Sequence, residues 1–227
     1  MEKTFNFSRE IITSGRIILI DEPLSVDVRS ELTNLRTTDD QELIFIEDRS
    51  LAINLEKILN DIIKKEQNIL FVFPGNGSNY PRKLSQIWKN YPNTGVNAKR
   101  IWQQGTDPVA IVDIILPEMF LIMNIKTIIV VDDVISSGLT LRKLYQKNSW
   151  RFTQAKWIGT SWISQDLVNG IRGYEYIETS CLIKKYSGSG KVPINSLSTL
   201  RNNSEIAKNY AQRHFKEPEI FLEILQK

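Results

Sequence analysis

"TIIVVDDVISSGLT", residues 127–140, is the stretch whose reading decides the fold. Ile128 to Val131 are apolar without alternation, the pattern of a strand buried on both faces of a parallel sheet. Asp132 and Asp133 follow at its carboxyl end, where open α/β sheets bind their ligands. Ser136, Ser137, Gly138 and Thr140 then open a helix over 138–148, with Leu139, Leu141, Leu144 and Tyr145 in helical register. Free backbone N–H groups at a helix start, helped by hydroxyls, hold a phosphate without any lysine. Gly138 lets the backbone approach such a ligand closely. The two acids cannot face the phosphate. They suit hydrogen-bond donors such as sugar hydroxyls, or a hydrated Mg²⁺. A phosphorylated sugar meets both demands. A plainer alternative stays open, in which a buried strand ends in an acidic turn that caps a helix.

Working outward, the pattern alternates. "RIILID" (16–21) and "ELIFIE" (42–47) read as strands around a polar stretch. "LAINLEKILNDIIKKE" (51–66) places Ile53, Leu55, Ile58, Leu59, Ile62 and Ile63 on one helical face. Ile69 to Phe73 is a second buried strand, closed by Pro74-Gly75. A helix is expected over 81–91 and a strand over 95–103. Residues 109–123 fit either a strand or a buried helix that Pro117 interrupts. Strands over 126–133 and 154–164 follow. From about 165 the texture changes to Gly, Ser and Asn, ending in two helical pieces at 204–215 and 217–226. Strands and helices alternating at this length predict an α/β fold with a mainly parallel central sheet flanked by helices.

Composition narrows the function classes. The chain has 227 residues, 41% of them hydrophobic, enough for one large cored domain. Its net charge of +3 is spread without a Lys/Arg block, so no nucleic-acid partner is expected. A single Cys181 excludes an internal disulfide and suits a reducing compartment; the thiol reads as a small buried hydrophobe. The single His214, in a polar helix, reads as a surface residue. One Cys and one His cannot build a Cys/His zinc site, and no Gly-x-Ser-x-Gly elbow accompanies His214. The N-terminal "MEKTFNFSRE" lacks the apolar core of a secretory signal. Asp113, Pro117 and Glu118 break the most apolar stretch, 109–123, which is too short to span a bilayer. The expectation is a cytoplasmic protein without a membrane partner.

"IIVVDDVISSGLT" resembles the phosphoribosyl-pyrophosphate (PRPP) binding motif of type I phosphoribosyltransferases. The match is four apolar residues, two acids, two variable or apolar positions, then two small hydroxyl residues, Gly, any residue and Thr. The resemblance implies the type I phosphoribosyltransferase-like fold, with its core over about 51–164. It implies one domain over 1–227, with a variable hood drawn from 1–50 and 165–227 and a C-terminal helical appendage. It assigns Asp132 and Asp133 to the ribose hydroxyls. Val134, Ser136, Ser137, Gly138, Leu139 and Thr140 would complete the PRPP site, with the loop Ser136–Thr140 holding the 5′-phosphate. Asp133 would also act as the catalytic group, assisting proton transfer at the base nitrogen.

A second loop grips pyrophosphate in that family, and "PGNGS" sits where it should: Gly75, Asn76, Gly77 and Ser78 after a buried strand. Asn76 stands where relatives carry a basic residue before the glycine, and Arg82 and Lys83 come later. An ordinary glycine turn is an equal alternative there. "KRIWQQGTDP" (99–108) occupies the interval of the closing loop. Lys184, Lys185 and Tyr186 are candidates for the base. "GSGK" (188–191) fails as a nucleotide loop, with Lys185 for the first Gly and Val192 for Ser/Thr. The implied activity is transfer of 5-phosphoribosyl from PRPP to a nitrogenous base, a purine, a pyrimidine or a specialised acceptor, with release of pyrophosphate. Mg²⁺ is the implied cofactor, with no protein ligand directly assigned. The partners implied are PRPP and a base or nucleotide, and a homodimer is compatible with the family. A non-enzymatic PRPP- or nucleotide-binding regulator on the same fold is the alternative.

Overall fold

Continuous apolar runs fold as central parallel strands here, and amphipathic runs as the helices that cover them. The computed structural model describes residues 5–101, 109–112, 115–165, 171–186 and 192–227. Two compact units result. One holds residues up to Ile11 and Leu51–Ile183; the other holds Ile12–Ser50 and Lys184–Lys227.

The first unit is built on a seven-stranded sheet. Its strands are β1 (Phe5–Phe7), β2 (Glu10–Ile12), β5 (Ile69–Pro74), β6 (Asn93–Val96), β9 (Thr127–Ile135), β10 (Lys156–Gln165) and β11 (Tyr176–Lys184). Their order is β1-β11-β10-β9-β5-β6, with β2 also on β11. Every pair along the path is parallel. All six residues of β5 and the first six of β9 are buried, as both-face burial of parallel strands requires. Helix α2 (Asp48–Lys65) buries Leu51, Leu55, Ile58, Leu59 and Ile62, with Asp48 in its first turn and Lys64 and Lys65 in its last, matching the helix dipole. Helix α4 (Leu139–Asn148) sets Leu141 and Leu144 into a cluster with Ile128 and Val130 of β9, Trp157 of β10 and Ile177 of β11. The expected α/β class with a mainly parallel sheet is the one observed.

Several boundaries differ from the sequence reading. The strand carrying the acids runs on through both of them to Ile135. The helix expected over 81–91 is α3 (Asn79–Leu84) followed by a 3₁₀ turn (Ile87–Asn90), because Ser85 turns to an extended conformation. Arg82 explains the break. Its guanidinium lies over the rings of Phe73 and Trp88, at 5.1 and 5.3 Å, and donates to Asn93 Oδ1 at 3.0 Å. The strand expected over 95–103 splits at Asn97 into β6 and β7 (Ala98–Ile101), and β7 pairs antiparallel with β8 (Val109–Val112). Residues 115–123 form a 3₁₀ turn (Glu118–Phe120) that buries Leu116 and Phe120, held by Asn148 Oδ1 accepting from the Leu116 N–H at 2.7 Å.

The second unit joins both ends of the chain. Strands β3 (Arg16–Ile20), β4 (Leu43–Glu47) and β12 (Ile194–Ser196) make a three-stranded parallel sheet in the order β12-β3-β4. Helices α1 (Val26–Thr33), α5 (Leu197–Asn202), α6 (Ser204–His214) and α7 (Pro218–Leu225) build its core from Val28, Leu32, Leu200, Tyr210, Phe215 and Phe221 on Ile18 of β3. Ser25, Ser196 and Asn203 cap three of these helices, each side chain accepting a backbone N–H, and Pro218 opens the fourth. No helix among the described residues is long and apolar enough to cross a membrane.

Candidate functional site

The carboxyl end of β9 carries the two acids. Strand alternation puts Asp132 on the side of Ile128 and Val130, the α4 side, and Asp133 on the opposite side. Asp132 is 6% exposed, and its Oδ1 accepts the Asp133 N–H at 3.0 Å. Across the sheet Asp132 registers with Ser161 of β10, and Ser161 with Thr179 of β11. The Ser161 hydroxyl meets Thr179 Oγ1 at 3.0 Å and Ser164 Oγ at 2.9 Å, so a buried row of hydroxyls continues from the acid. Asp133 is half-buried.

The second loop meets the first at Asp133. A side-chain carbon placed on Gly77 would lie 2.3 Å from Asp133 Oδ2 and 2.4 Å from its Cγ and Oδ1. The carboxylate therefore rests on the bare backbone of the Gly75–Ser78 loop, a contact only glycine permits. The loop is braced from below. Gly75 adopts φ 71°, and its N–H donates to Val96 O at 2.7 Å. The buried Ser78 hydroxyl donates to Gly75 O at 2.9 Å. Asn76 is exposed. Arg82, the nearest following cation, is engaged with Phe73, Trp88 and Asn93.

Beyond Ile135 the chain turns through Ser136 and Ser137 to Gly138, the N-cap of α4, at φ 66°. The cap residue Gly138 has no side chain to offer this helix, so the first-turn N–H groups receive no bond from the N-cap. Ser136, Ser137, Leu139 and Thr140 are half-buried, and Val134 likewise. Thus the site brings together Asp132 to Thr140 and Gly75 to Ser78.

Lys184, Lys185 and Tyr186 belong to the second unit. There Lys184 O accepts the Thr13 N–H at 2.8 Å, the Tyr186 N–H donates to Thr13 O at 3.1 Å, and Tyr186 is 80% exposed. Residues 102–108 of the closing-loop candidate and the "GSGK" segment lie outside the described residues. Cys181 is buried as expected, and burial pushes its thiol up to about 11. His214 is half-buried rather than on the surface, its ring 4.7 Å from that of Tyr210.

The sequence reading passed over Ile171, Gly173 and Tyr174, which pack on Gly138, Tyr145 and Leu141 of the α4 segment. The signal available was "IRGY", a glycine set between large apolar residues inside a stretch that otherwise reads as a polar tail. Tyr174 is buried, and its hydroxyl donates to Leu141 O at 3.0 Å. Burial, with the neighbouring negative charge of Asp132, raises its pKa well above the usual phenol value.

As to a metal, no group of three His, Cys, Asp or Glu side chains among the described residues could hold one. One or two carboxylates completed by substrate phosphates is the donor set that Mg²⁺ accepts. Asp132 and Asp133 fit that pattern, not a self-contained protein site.

No family model matches this sequence, and no curated protein matches it. Solved structures do. A purine phosphoribosyltransferase from Pyrococcus horikoshii Ot3 is 15% identical, covering 65% of this chain and 87% of its own, with a TM-score of 0.44. The Helicobacter pylori xanthine-guanine-hypoxanthine phosphoribosyltransferase is 16% identical, covering 68% and 91%, with a TM-score of 0.43. A hypothetical protein from Neisseria gonorrhoeae with bound ppGpp is 13% identical, covering 80% and 88%, with a TM-score of 0.47. At these scores the likeness is one of architecture and carries no function over.

Proposed function

We propose that this chain binds PRPP at the carboxyl end of β9 and transfers its 5-phosphoribosyl group to a nitrogenous base. The contact between Asp133 and Gly77 carries the reading. Two loops that would hold different parts of one donor, 55 or so residues apart in sequence, meet at a single carboxylate.

The 5′-phosphate sits on the first-turn N–H groups of α4, with the hydroxyls of Ser136, Ser137 and Thr140 around it. Asp132 and Asp133 accept hydrogen bonds from the ribose hydroxyls. The diphosphate lies toward Gly75 to Ser78, with the backbone N–H groups of Asn76, Gly77 and Ser78 as its donors, that of Gly75 being engaged by Val96 O. Mg²⁺, when bound with the diphosphate, neutralises charge on the leaving group. In the reaction the bond from ribose C1 to diphosphate oxygen breaks and the bond from C1 to a base nitrogen forms. The proton on that nitrogen passes to Asp133 or to water. C1 is oxocarbenium-like at the crossing point, so catalysis is a matter of position and charge more than of covalent work.

A second reading has one observation in its favour. Arg82 is held by Phe73, Trp88 and Asn93, and Asn76 is neutral, so the described side chains of the loop bring no cation to the leaving group. A PRPP- or nucleotide-binding regulator needs none. The test is to mix the protein with PRPP, Mg²⁺ and a panel of purine and pyrimidine bases and follow pyrophosphate. Turnover with one base supports the transferase. PRPP binding without turnover selects the regulator, and absence of binding to both PRPP and nucleoside monophosphates removes both.

A further inference from the structure

We infer that Ile171, Gly173 and Tyr174 form a brace that positions the phosphate loop, making Ile171 and Tyr174 positioning residues for the ligand held at the start of α4. The inference rests on the proposed function only for the identity of that ligand.

Three contacts from one short turn carry it. Ile171 Cδ1 fills the space beside Gly138, 2.2 Å from where a side-chain carbon would be. The Tyr174 hydroxyl donates to Leu141 O at 3.0 Å. Gly173, at φ 98°, packs directly on the ring of Tyr145, whose Cε1 lies 2.4 Å from the position of an added carbon. The positions touched on α4 are 138, 141 and 145. They recur at three and four residues, so they share one helical face. The brace therefore grips that face from the cap through two turns, and Thr140, off that stripe, is left for the ligand.

The brace is itself anchored in the sheet. The Tyr174 ring packs against Gly159 of β10, 3.6 Å from where its side-chain carbon would be, and against Trp157 with ring centres 6.0 Å apart. Tyr145 completes the trio, 5.4 Å from Trp157 and 6.2 Å from Tyr174. Asp132 acts on the same hydroxyl through its charge. Tyr174 thus ties the first turn of the helix to the sheet. An αL glycine at the cap leaves the loop free to swing, and Ile171 and Tyr174 remove that freedom before any ligand arrives. Preorganisation of this kind lowers the ordering cost of binding.

Tyr174→Phe keeps the ring and deletes one hydrogen bond. The full chain is compared with wild type by calorimetric titration with ribose 5-phosphate and by hydrogen exchange of the backbone amides of 139–142. Loss of one neutral hydrogen bond predicts affinity weaker by about three- to tenfold and faster exchange in that segment by a similar factor. Ile171→Ala is expected to act in the same direction and Ile171→Val to restore most of the affinity. A purely packing role would lower thermal stability while leaving ribose 5-phosphate affinity and the exchange of 139–142 as in wild type, and that result overturns the inference. If wild type binds neither ribose 5-phosphate nor PRPP, the donor reading falls, and the exchange measurement alone decides the brace: faster exchange of 139–142 in Tyr174→Phe upholds it and unchanged exchange overturns it.

Discussion

Gly77→Ala isolates the contact on which the proposed function rests. The added carbon would stand 2.3 Å from Asp133 Oδ2, and ordinary contact begins at 3.4 Å, so the loop and the carboxylate must separate by about 1.1 Å. Gly77 is not among the glycines with positive φ, so its backbone accepts alanine without strain. The substitution would then gain about 0.4–1 kcal/mol from a less flexible unfolded chain. Moving the Asp133 side chain off its rotamer costs about 0.5–1.5 kcal/mol. The two nearly cancel, and the melting temperature should stay within a few degrees of wild type. Binding should not. A displacement near 1 Å in a positioned site costs on the order of 10²-fold in rate, and we expect PRPP affinity to fall by at least about tenfold. Thermal unfolding and calorimetric titration with PRPP and Mg²⁺, on the same preparations, separate the two effects. A folded Gly77→Ala protein that binds PRPP within twofold of wild type would refute the joint site.

Other expectations follow from the same geometry. Asp132→Asn with Asp133→Asn should abolish PRPP binding in calorimetry, and unchanged binding would remove the donor reading altogether. Removing Mg²⁺ with a chelator should weaken PRPP binding strongly and leave ribose 5-phosphate binding almost unchanged, because only the diphosphate needs the ion; equal loss for both ligands would contradict this. Burial, then the Arg16 charge, lowers the pKa of His214 below 6.5, with Asp39 opposing and Arg213 adding to the effect. The unfolded chain therefore binds more protons below pH 6.5, so stability is lost as pH falls from 6.5 toward the lowered folded value and is unaffected above it. Urea unfolding at pH 7.5 and 5.5 should show a smaller pH difference for His214→Gln than for wild type; an identical difference counts against the assignment. Cys181, buried with its thiol pushed up to about 11, should resist iodoacetamide at pH 8 until the chain is denatured. Native labelling at the denatured rate would contradict the burial.

What the sequence disclosed follows from how local each signal is. β5 and β9 are legible because both faces are buried, which leaves an unbroken apolar run, and α2 because its buried positions recur every three or four residues. β11 was hidden in a stretch that reads as polar tail. Its Thr179 and Ser180 are fully buried, but they satisfy their hydroxyls internally, Thr179 with Ser161 and Ser180 with Leu51 O at 2.8 Å. Composition cannot tell a paired buried hydroxyl from a solvated one. Helix α1 escaped notice because only Val28 and Leu32 of its eight residues are buried. The union of 12–50 with 184–227 in one unit rests on parallel pairing of β3 with β12, between strands more than 170 residues apart. No local period reports such a pairing. The site divides in the same way. Each half was visible in its own loop; their meeting at Gly77 and Asp133, and the grip of Ile171 and Tyr174 on α4, are tertiary contacts.

The charge pattern of the site restricts its ligand more tightly than either loop does alone. Asp132 and Asp133 are adjacent in sequence at the end of β9, and the first is buried, so a bare phosphate brought to that strand end would meet two like charges. A free base would leave the first-turn N–H groups of α4 without an anion. The arrangement is satisfied when hydroxyls, which donate, occupy the middle and anions occupy the ends. On the proposed reading, one anion would go to the helix start beyond Gly138, the other to the backbone of Gly75 to Ser78. A sugar phosphorylated at one end and diphosphorylated at the other has that order. The two ends are not equivalent, however. The helix start offers a dipole and several N–H groups to a monophosphate, whereas the glycine loop offers neutral donors to a group of higher charge, with Arg82 turned into its aromatic pocket. On the proposed reading, the fold would hold the phosphate end by itself and would depend on a bound cation at the diphosphate end. That asymmetry is suited to a ligand whose sugar phosphate is retained while its diphosphate departs.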